Sequence, residues 1–202
     1  MRTTHIFFDV GGVLGTPGWD SAQRQTVATL FGLDAADLET RHASVSDRFE
    51  RGRLSLEEYL DTVVFWTARS FSRAAFRAAI LEQSIPSPES IAVARGLSEN
   101  PNYRLMTINN ESAELNAYRL REFGLQDIFA AFFSSCWLGF RKPDRRIYQR
   151  ALAISQADAE RSVFIDDREV NLPPARALGM HAIRFTNVEQ LVASLQARDI
   201  AV

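Results

Sequence analysis

The chain has 202 residues, 46% of them hydrophobic, with a formal net charge of -2. That is enough apolar material for a sizeable core and too much for a disordered chain, so one domain with room for an insertion is expected. The near-neutral balance argues against nucleic acid or an anionic membrane as partner. A single cysteine, Cys136, excludes an internal disulfide and fits a reducing, cytoplasmic setting. The first apolar run is too short for a secretory leader and is broken by Asp9, and no stretch approaches membrane-spanning length.

In chain order, HIFFDV (residues 5–10) reads as a short buried strand and Gly11-Gly12 as a turn. Four helical segments follow without a strand between them: residues 19–31, 34–50, 55–68 and 72–83. Asp34, Ser55 and Ser72 are their expected caps, and Ser55 with Glu58 forms the Ser-x-x-Glu capping box. Pro86 and Pro88 then force extended backbone, a natural crossing between two bodies. Beyond them helices and strands alternate. Helices are expected at 89–99, 112–124, 143–154 (with Pro143 in its first turn), 171–179 and 187–197. Strands are expected at 103–108, 130–136, 162–167 and 181–185. This pattern implies an α/β fold, a doubly wound and mainly parallel sheet, with a four-helix insertion after its first strand. The expected division is a core of 1–15 and 88–202 and a helical cap of 16–87, with hinges near 14–18 and 85–88.

Ligands of open parallel sheets bind beyond the carboxyl ends of the strands. Unusual residues gather at four such ends: Asp9; Thr107, Asn109 and Asn110; Lys142 in the loop after the third strand; and Asp166 with Asp167. Three carboxylates resist ionising together. One divalent cation with Lys142 brings them close to neutral, and an all-oxygen set suits magnesium. Lys142 is the chain's one lysine among 23 basic residues, which suggests that a compact ammonium is wanted there. His5, His42 and His181 are scattered and offer no zinc site. The bland alternatives are a turn cap for Asp9, a solvated turn for Asp166-Asp167 and ordinary surface charge for Lys142. Arg24, Arg41 and the other arginines of the insertion read as a solvated helical face, one of them available to an anionic substrate. Cys136 reads as a small buried or half-buried residue without an activating histidine.

FFDVGGVL, TINN, RKPD and FIDD, in this order, resemble the four motifs of the haloacid dehalogenase-like hydrolases. The resemblance spans roughly 1–15 and 88–202, and it makes the inserted helices similar to that family's cap. It implies that Asp9 is a nucleophile forming an aspartyl phosphate and that Asp9, Gly11, Asp166 and Asp167 hold magnesium. It further implies that Lys142 neutralises the phosphoryl group, with Thr107, Asn109 and Asn110 hydrogen-bonded to it. Two departures bear on mechanism. Gly11 stands where most phosphatases of the family carry a second Asp as general acid and base. Ile108 separates Thr107 from Asn109, so either Thr107 or Ile108 takes the position of the usual hydroxyl residue. The expected function is a magnesium-dependent phosphatase for a small soluble phosphate ester, as monomer or homodimer. The competing readings are a 2-haloacid dehalogenase using Asp9 on carbon, and a phosphate-binding protein without turnover.

Overall fold

The computed structural model describes residues 3–202, so residues 1 and 2 of the expected core segment lie outside the described residues. Five strands form one sheet: β1 (His5–Phe8), β2 (Arg104–Asn109), β3 (Ala131–Ser134), β4 (Ser162–Asp166) and β5 (His181–Arg184). All neighbours pair in parallel, in the order β3-β2-β1-β4-β5. β1 is central, and its run of apolar side chains follows from that place. Ile6 and Phe8 enter the core on one face, and Phe7 enters it on the other.

The chain winds outward from β1 to β2 and β3, then returns to place β4 on the other side of β1. The reversal lies between β1 and β4. Their carboxyl ends therefore flank the crevice where an open α/β sheet binds its ligand.

Helices cover both faces. α5 (Pro88–Glu99), α6 (Ala113–Glu122) and α10 (Val188–Gln196) pack on the Ile6–Phe8 face. α8 (Arg145–Ser155) and α9 (Leu172–Arg176) pack on the Phe7 face through Ile147, Tyr148, Leu172 and Ala175. Between β1 and β2 lie α1 (Ser21–Leu30), α2 (Ala35–Glu50), α3 (Leu56–Val63) and α4 (Arg73–Glu82). Their apolar faces form a third cluster, around Leu38, Phe49, Tyr59, Leu60 and Phe76, that α6 joins through Leu115. The chain passes between the sheet and these helices twice, and the two passages are zipped together. Thr16 N–H donates to Ile85 O, and Ser87 N–H to Leu14 O, each at 2.9 Å. Arg119 of α6, fully buried, adds hydrogen bonds to Thr16 O (3.0 Å), Pro17 O (3.2 Å) and Ser84 Oγ (3.0 Å).

Among the boundaries that differ from expectation, three have a visible cause. α3 stops at Val63 instead of running to 68, because Phe65 turns in to pack on Phe71 and Phe76 while Trp66 lies exposed under the Arg41 guanidinium. β3 ends at Ser134, and Ser135–Leu138 form one helical turn, α7. Ser135 Oγ bonds Glu50 O at 2.6 Å and accepts from Glu111 N–H at 3.0 Å, which draws the chain out of the sheet plane. Pro143 precedes α8, whose cap is Asp144, accepting from Arg146 N–H at 2.9 Å. The other expected caps form, including the reciprocal Ser55–Glu58 box. Ser55→Ala removes the acceptor for Glu58 N–H and is expected to cost about 0.5–2 kcal/mol of stability, read from urea unfolding.

Candidate active site

Asp9 is the first residue beyond β1. Its amide continues the ladder to Ile165 O at 2.8 Å. One step past the Phe8–Thr107 and Phe8–Ile165 pairs, register sets Asp9 in a row with Ile108 on one side and Asp166 on the other. Successive side chains alternate faces, so Thr107 points to the face opposite Asp9. Lys142 closes the row from the loop after β3. Its Nζ lies 2.8 Å from Asp9 Oδ1 and 2.6 Å from Asp166 Oδ2. All three side chains are buried.

Each partner is held in turn. Asp9 Oδ1 accepts from Val10 N–H at 2.8 Å. Asp166 accepts from Asn171 Nδ2 at 2.9 and 3.0 Å and from Arg168 N–H at 2.8 Å. Tyr148 Oη donates to Asn171 O at 2.7 Å. Asn110 pairs its amide with the Lys142 peptide: Nδ2 donates to Lys142 O at 2.9 Å, and Oδ1 accepts from Lys142 N–H at 2.7 Å.

Ligand oxygens of Asp9, Asp166 and Asp167 lie within 4.8 Å of one another. Asp167 Oδ1 is buried and, among the described residues, has no hydrogen-bond partner. Its carboxylate rests against Gly12, where φ is +78° and an added Cβ would come 2.3 Å from Asp167 Oδ2. A buried carboxylate oxygen left unpaired is costly, and a cation held by this cluster would satisfy it. The donors are all oxygens, and Lys142 offsets one of three carboxylates, leaving two negative charges for a divalent ion. The residues fit magnesium on these grounds.

Electrostatics lead the same way. Burial, opposed by Lys142 and reinforced by Asp166 and Asp167, leaves the Asp9 carboxyl raised to about 8. Burial lowers Lys142, but Asp9 and Asp166 outweigh it and hold the ammonium above its ordinary value. Burial and then Asp166 raise Asp167. A dication among these oxygens inverts that logic and favours the ionised carboxylates.

A cavity of about 240 Å³ opens above them, lined by Asp9, Gly11, Asn110, Lys142 and Asp167 from the strand ends. Its other wall carries Trp19, Arg24, His42 and Phe49 from the helical segment. Arg24 is the exception to the solvated arginine face, on the cavity wall. It is 6% exposed, forked onto Glu39 at 2.6 and 2.8 Å, and donates to Trp19 O. Trp19 Nε1–H donates to Tyr59 Oη at 2.7 Å, and Tyr59 Oη lies 2.9 Å from His42 Nδ1. The indole is only a donor, so the buried Tyr59 hydroxyl must send its own proton to His42 Nδ1. That fixes His42 as the Nε2–H tautomer. Burial, reinforced by Arg24, lowers His42 to about 4, so the ring is neutral at physiological pH.

Two expected phosphate ligands are not brought to the cavity. Thr107 is fully buried on the opposite face with its hydroxyl unpaired among the described residues, and Ile108, packed with Phe7 and Met106, takes the row position beside Asp9. Asn109 turns toward α6, accepting from Ser134 Oγ at 2.9 Å and donating to Asn116 Oδ1 at 3.0 Å. Asn171, His42 and Tyr59 were missed by sequence reasoning. Only Asn171 left a trace, as the Asn five places after Asp166. Cys136 is half-buried, and burial pushes its thiol up to about 12, as an inert role requires.

Residues 3–179 match the family described as haloacid dehalogenase-like hydrolase. The chain belongs to that family. Among curated relatives of this hydrolase, the sesquiterpene phosphatase astK of Aspergillus oryzae is 31% identical over 84 residues, which cover 41% of this chain and 42% of that protein. The match thus spans less than half of that relative. Flavin mononucleotide hydrolase 1 of Arabidopsis thaliana is 28% identical over 181 residues, covering 85% of this chain and 69% of that protein. In fold, the hydrolase is similar to a HAD-family enzyme of Bacteroides thetaiotaomicron in complex with magnesium and inorganic phosphate. The TM-score is 0.79 at 18% identity, over 91% of this chain and 94% of the other.

Magnesium is expected to raise the melting temperature. At an ion concentration one hundred times Kd the stabilisation is about 2.7 kcal/mol. Asp167→Asn should abolish that shift, and Gly12→Ala should weaken it, in thermal melts with and without magnesium.

Proposed function

We propose that this hydrolase is a magnesium-dependent phosphatase acting on a small phosphate monoester through an aspartyl phosphate on Asp9. The observation that carries the reading is the unpaired, buried Asp167 Oδ1 beside Asp9 and Asp166, with Lys142 Nζ in the same row. Carboxylates around one ammonium make a poor site for a neutral ligand and a good one for a cation and a phosphoryl group together. The two curated relatives named above are called a phosphatase and a mononucleotide hydrolase, which agrees with phosphate-ester cleavage.

Asp9, Gly11 (by its carbonyl), Asp166 and Asp167 would hold the magnesium, which supplies positive charge against the phosphoryl oxygens. Asp9 supplies the attacking oxygen, and Lys142 aims it, would act with the cation to favour its ionised form, and balances charge on the phosphoryl group. Asn110 fixes the Lys142 backbone. Water later cleaves the acyl phosphate and frees Asp9. Residues 16–87 act as a cap that closes over the cavity on hinges at 14–18 and 85–88, and the neutral His42 Nε2–H and Arg24 orient the leaving group. The cavity of about 240 Å³ is smaller than the roughly 300–1,000 Å³ of drug-sized sites, which favours a compact substrate.

A screen of small phosphomonoesters with and without magnesium tests this. Turnover is expected only with the metal. Asp9→Asn should lose at least about a thousandfold in kcat. Lys142→Arg should lose activity almost as completely, because a forked guanidinium cannot take the ammonium's place between two carboxylates. Metal-independent chloride release from 2-haloacids would overturn the reading in favour of a dehalogenase. Phosphate binding without any ester turnover would make the protein a binder.

A further inference from the structure

The scheme above leaves the leaving group without a proton. An alkoxide departs slowly unless an acid protonates it as the phosphorus–oxygen bond breaks. Gly11 has no side chain to offer, so the donor must come from elsewhere on the cavity wall. Lys142 is held by two carboxylates. Glu50 is paired with Arg141 at 3.1 Å. Asp20 caps α1 through Ser21 N–H. His42 is a neutral ring with its tautomer fixed, a donor of hydrogen bonds but not of protons. Glu111 is left.

Glu111 follows the end of β2, two residues beyond Asn109, and lines the cavity although its side chain is only 6% exposed. Its Oε1 accepts from Ser112 N–H at 3.0 Å. Its Oε2 makes no hydrogen bond among the described residues; Arg119 Nε stands 3.8 Å away, with its N–H turned to Ser84 Oγ. Gly18 lies against this oxygen, where an added Cβ would come to 2.6 Å. A Cβ on Gly11 would in turn come 3.1 Å from the Gly18 nitrogen. Gly18, which has no side chain, therefore lies between the Glu111 carboxyl and Gly11 of the loop that carries Asp9.

We propose that Glu111 is the acid that protonates the leaving oxygen and the base that later takes a proton from the attacking water. This rests on the phosphatase reading and deepens it. In the first step Asp9 forms a bond to phosphorus, the ester oxygen leaves with its electron pair, and the Glu111 proton converts it to an alcohol. In the second step Glu111 takes a proton from water as the water oxygen attacks phosphorus. The bond to Asp9 breaks, and phosphate and the protonated Glu111 are formed. Burial raises this carboxyl to about 7, with Arg119 opposing and Glu50 reinforcing, which keeps both of its forms within reach near neutrality. The charged and titratable groups facing it are Arg119 of α6, Glu50 of α2 and the Cys136 thiol of α7.

The test is single-turnover release of the alcohol from an alkyl phosphate and from 2,4-dinitrophenyl phosphate, with magnesium, by wild type, Glu111→Gln and Glu111→Asp. Gln keeps an acceptor for Ser112 N–H but has no proton to give. Its alkyl-ester step is expected to fall about 100- to 10,000-fold while the dinitrophenyl step, whose leaving group needs no proton, stays within about threefold. Glu111→Asp should recover part of the alkyl-ester rate. Equal slowing on both esters, or no slowing on either, overturns the assignment while leaving the phosphatase reading intact. A wild type that releases neither alcohol overturns both. If Glu111→Gln does not fold, Glu111→Asp decides: slowing selective for the alkyl ester supports the assignment, and equal slowing overturns it.

Discussion

The ammonium of Lys142, clasped between Asp9 and Asp166, is the contact around which the site is organised. A buried ammonium is tolerable only with charge partners and hydrogen bonds at close range, and the same holds for each carboxylate. That demand explains much of the surrounding architecture. β1 and β4 must be neighbours so that Asp9 and Asp166 share a row. The loop after β3 must cross over the end of β2 to bring Lys142 in, and Asn110 fastens it there by its peptide group. Asn171 and the Arg168 amide saturate Asp166. Asp167 keeps a buried oxygen that has no hydrogen-bond partner among the described residues, close to Asp9 and Asp166.

The helical segment supplies the other half of the cavity and a different chemistry. Beside the charges of Arg24 and Glu50, this wall offers a neutral histidine and aromatic surface. Tyr59 stacks on Phe49 with ring centroids 4.2 Å apart and sets the tautomer of His42. Arg119 and Glu111 sit where the two halves meet. Arg119 ties down both passages of the chain, and its nearness offsets part of the burial that raises Glu111. Packing and proton chemistry are therefore coupled at that junction.

Three of the four chemical segments were legible: two end a strand pattern in acids that are depleted within strands, and the third carries the chain's one lysine. Asp9 after an apolar run, the paired acids after SVFI and a lone lysine are local signals, and all meet in the structure. The polar residues of TINN were not separable from sequence. Alternation along β2 sends Thr107 away from Asp9, and Asn109 is drawn off by Ser134 and Asn116, partners 25 and 7 residues away. Arg24 sits on a helix like the solvated arginines of that segment, and only its contacts with Trp19 and Glu39 take it inside.

Periodicity, caps and breakers lie within a few residues of one another, and they sufficed for the parallel α/β core, the four inserted helices and the acids at the strand ends. Tertiary structure decided what depends on residues distant in the chain. Which face of β2 meets Asp9 is set by register. Which nitrogen of His42 carries the proton is set by a tyrosine 17 residues away. Whether Glu111 is a surface charge or a buried acid is set by helices packed from both sides. Such environments arise only when separated segments exclude water together, and no local pattern encodes them.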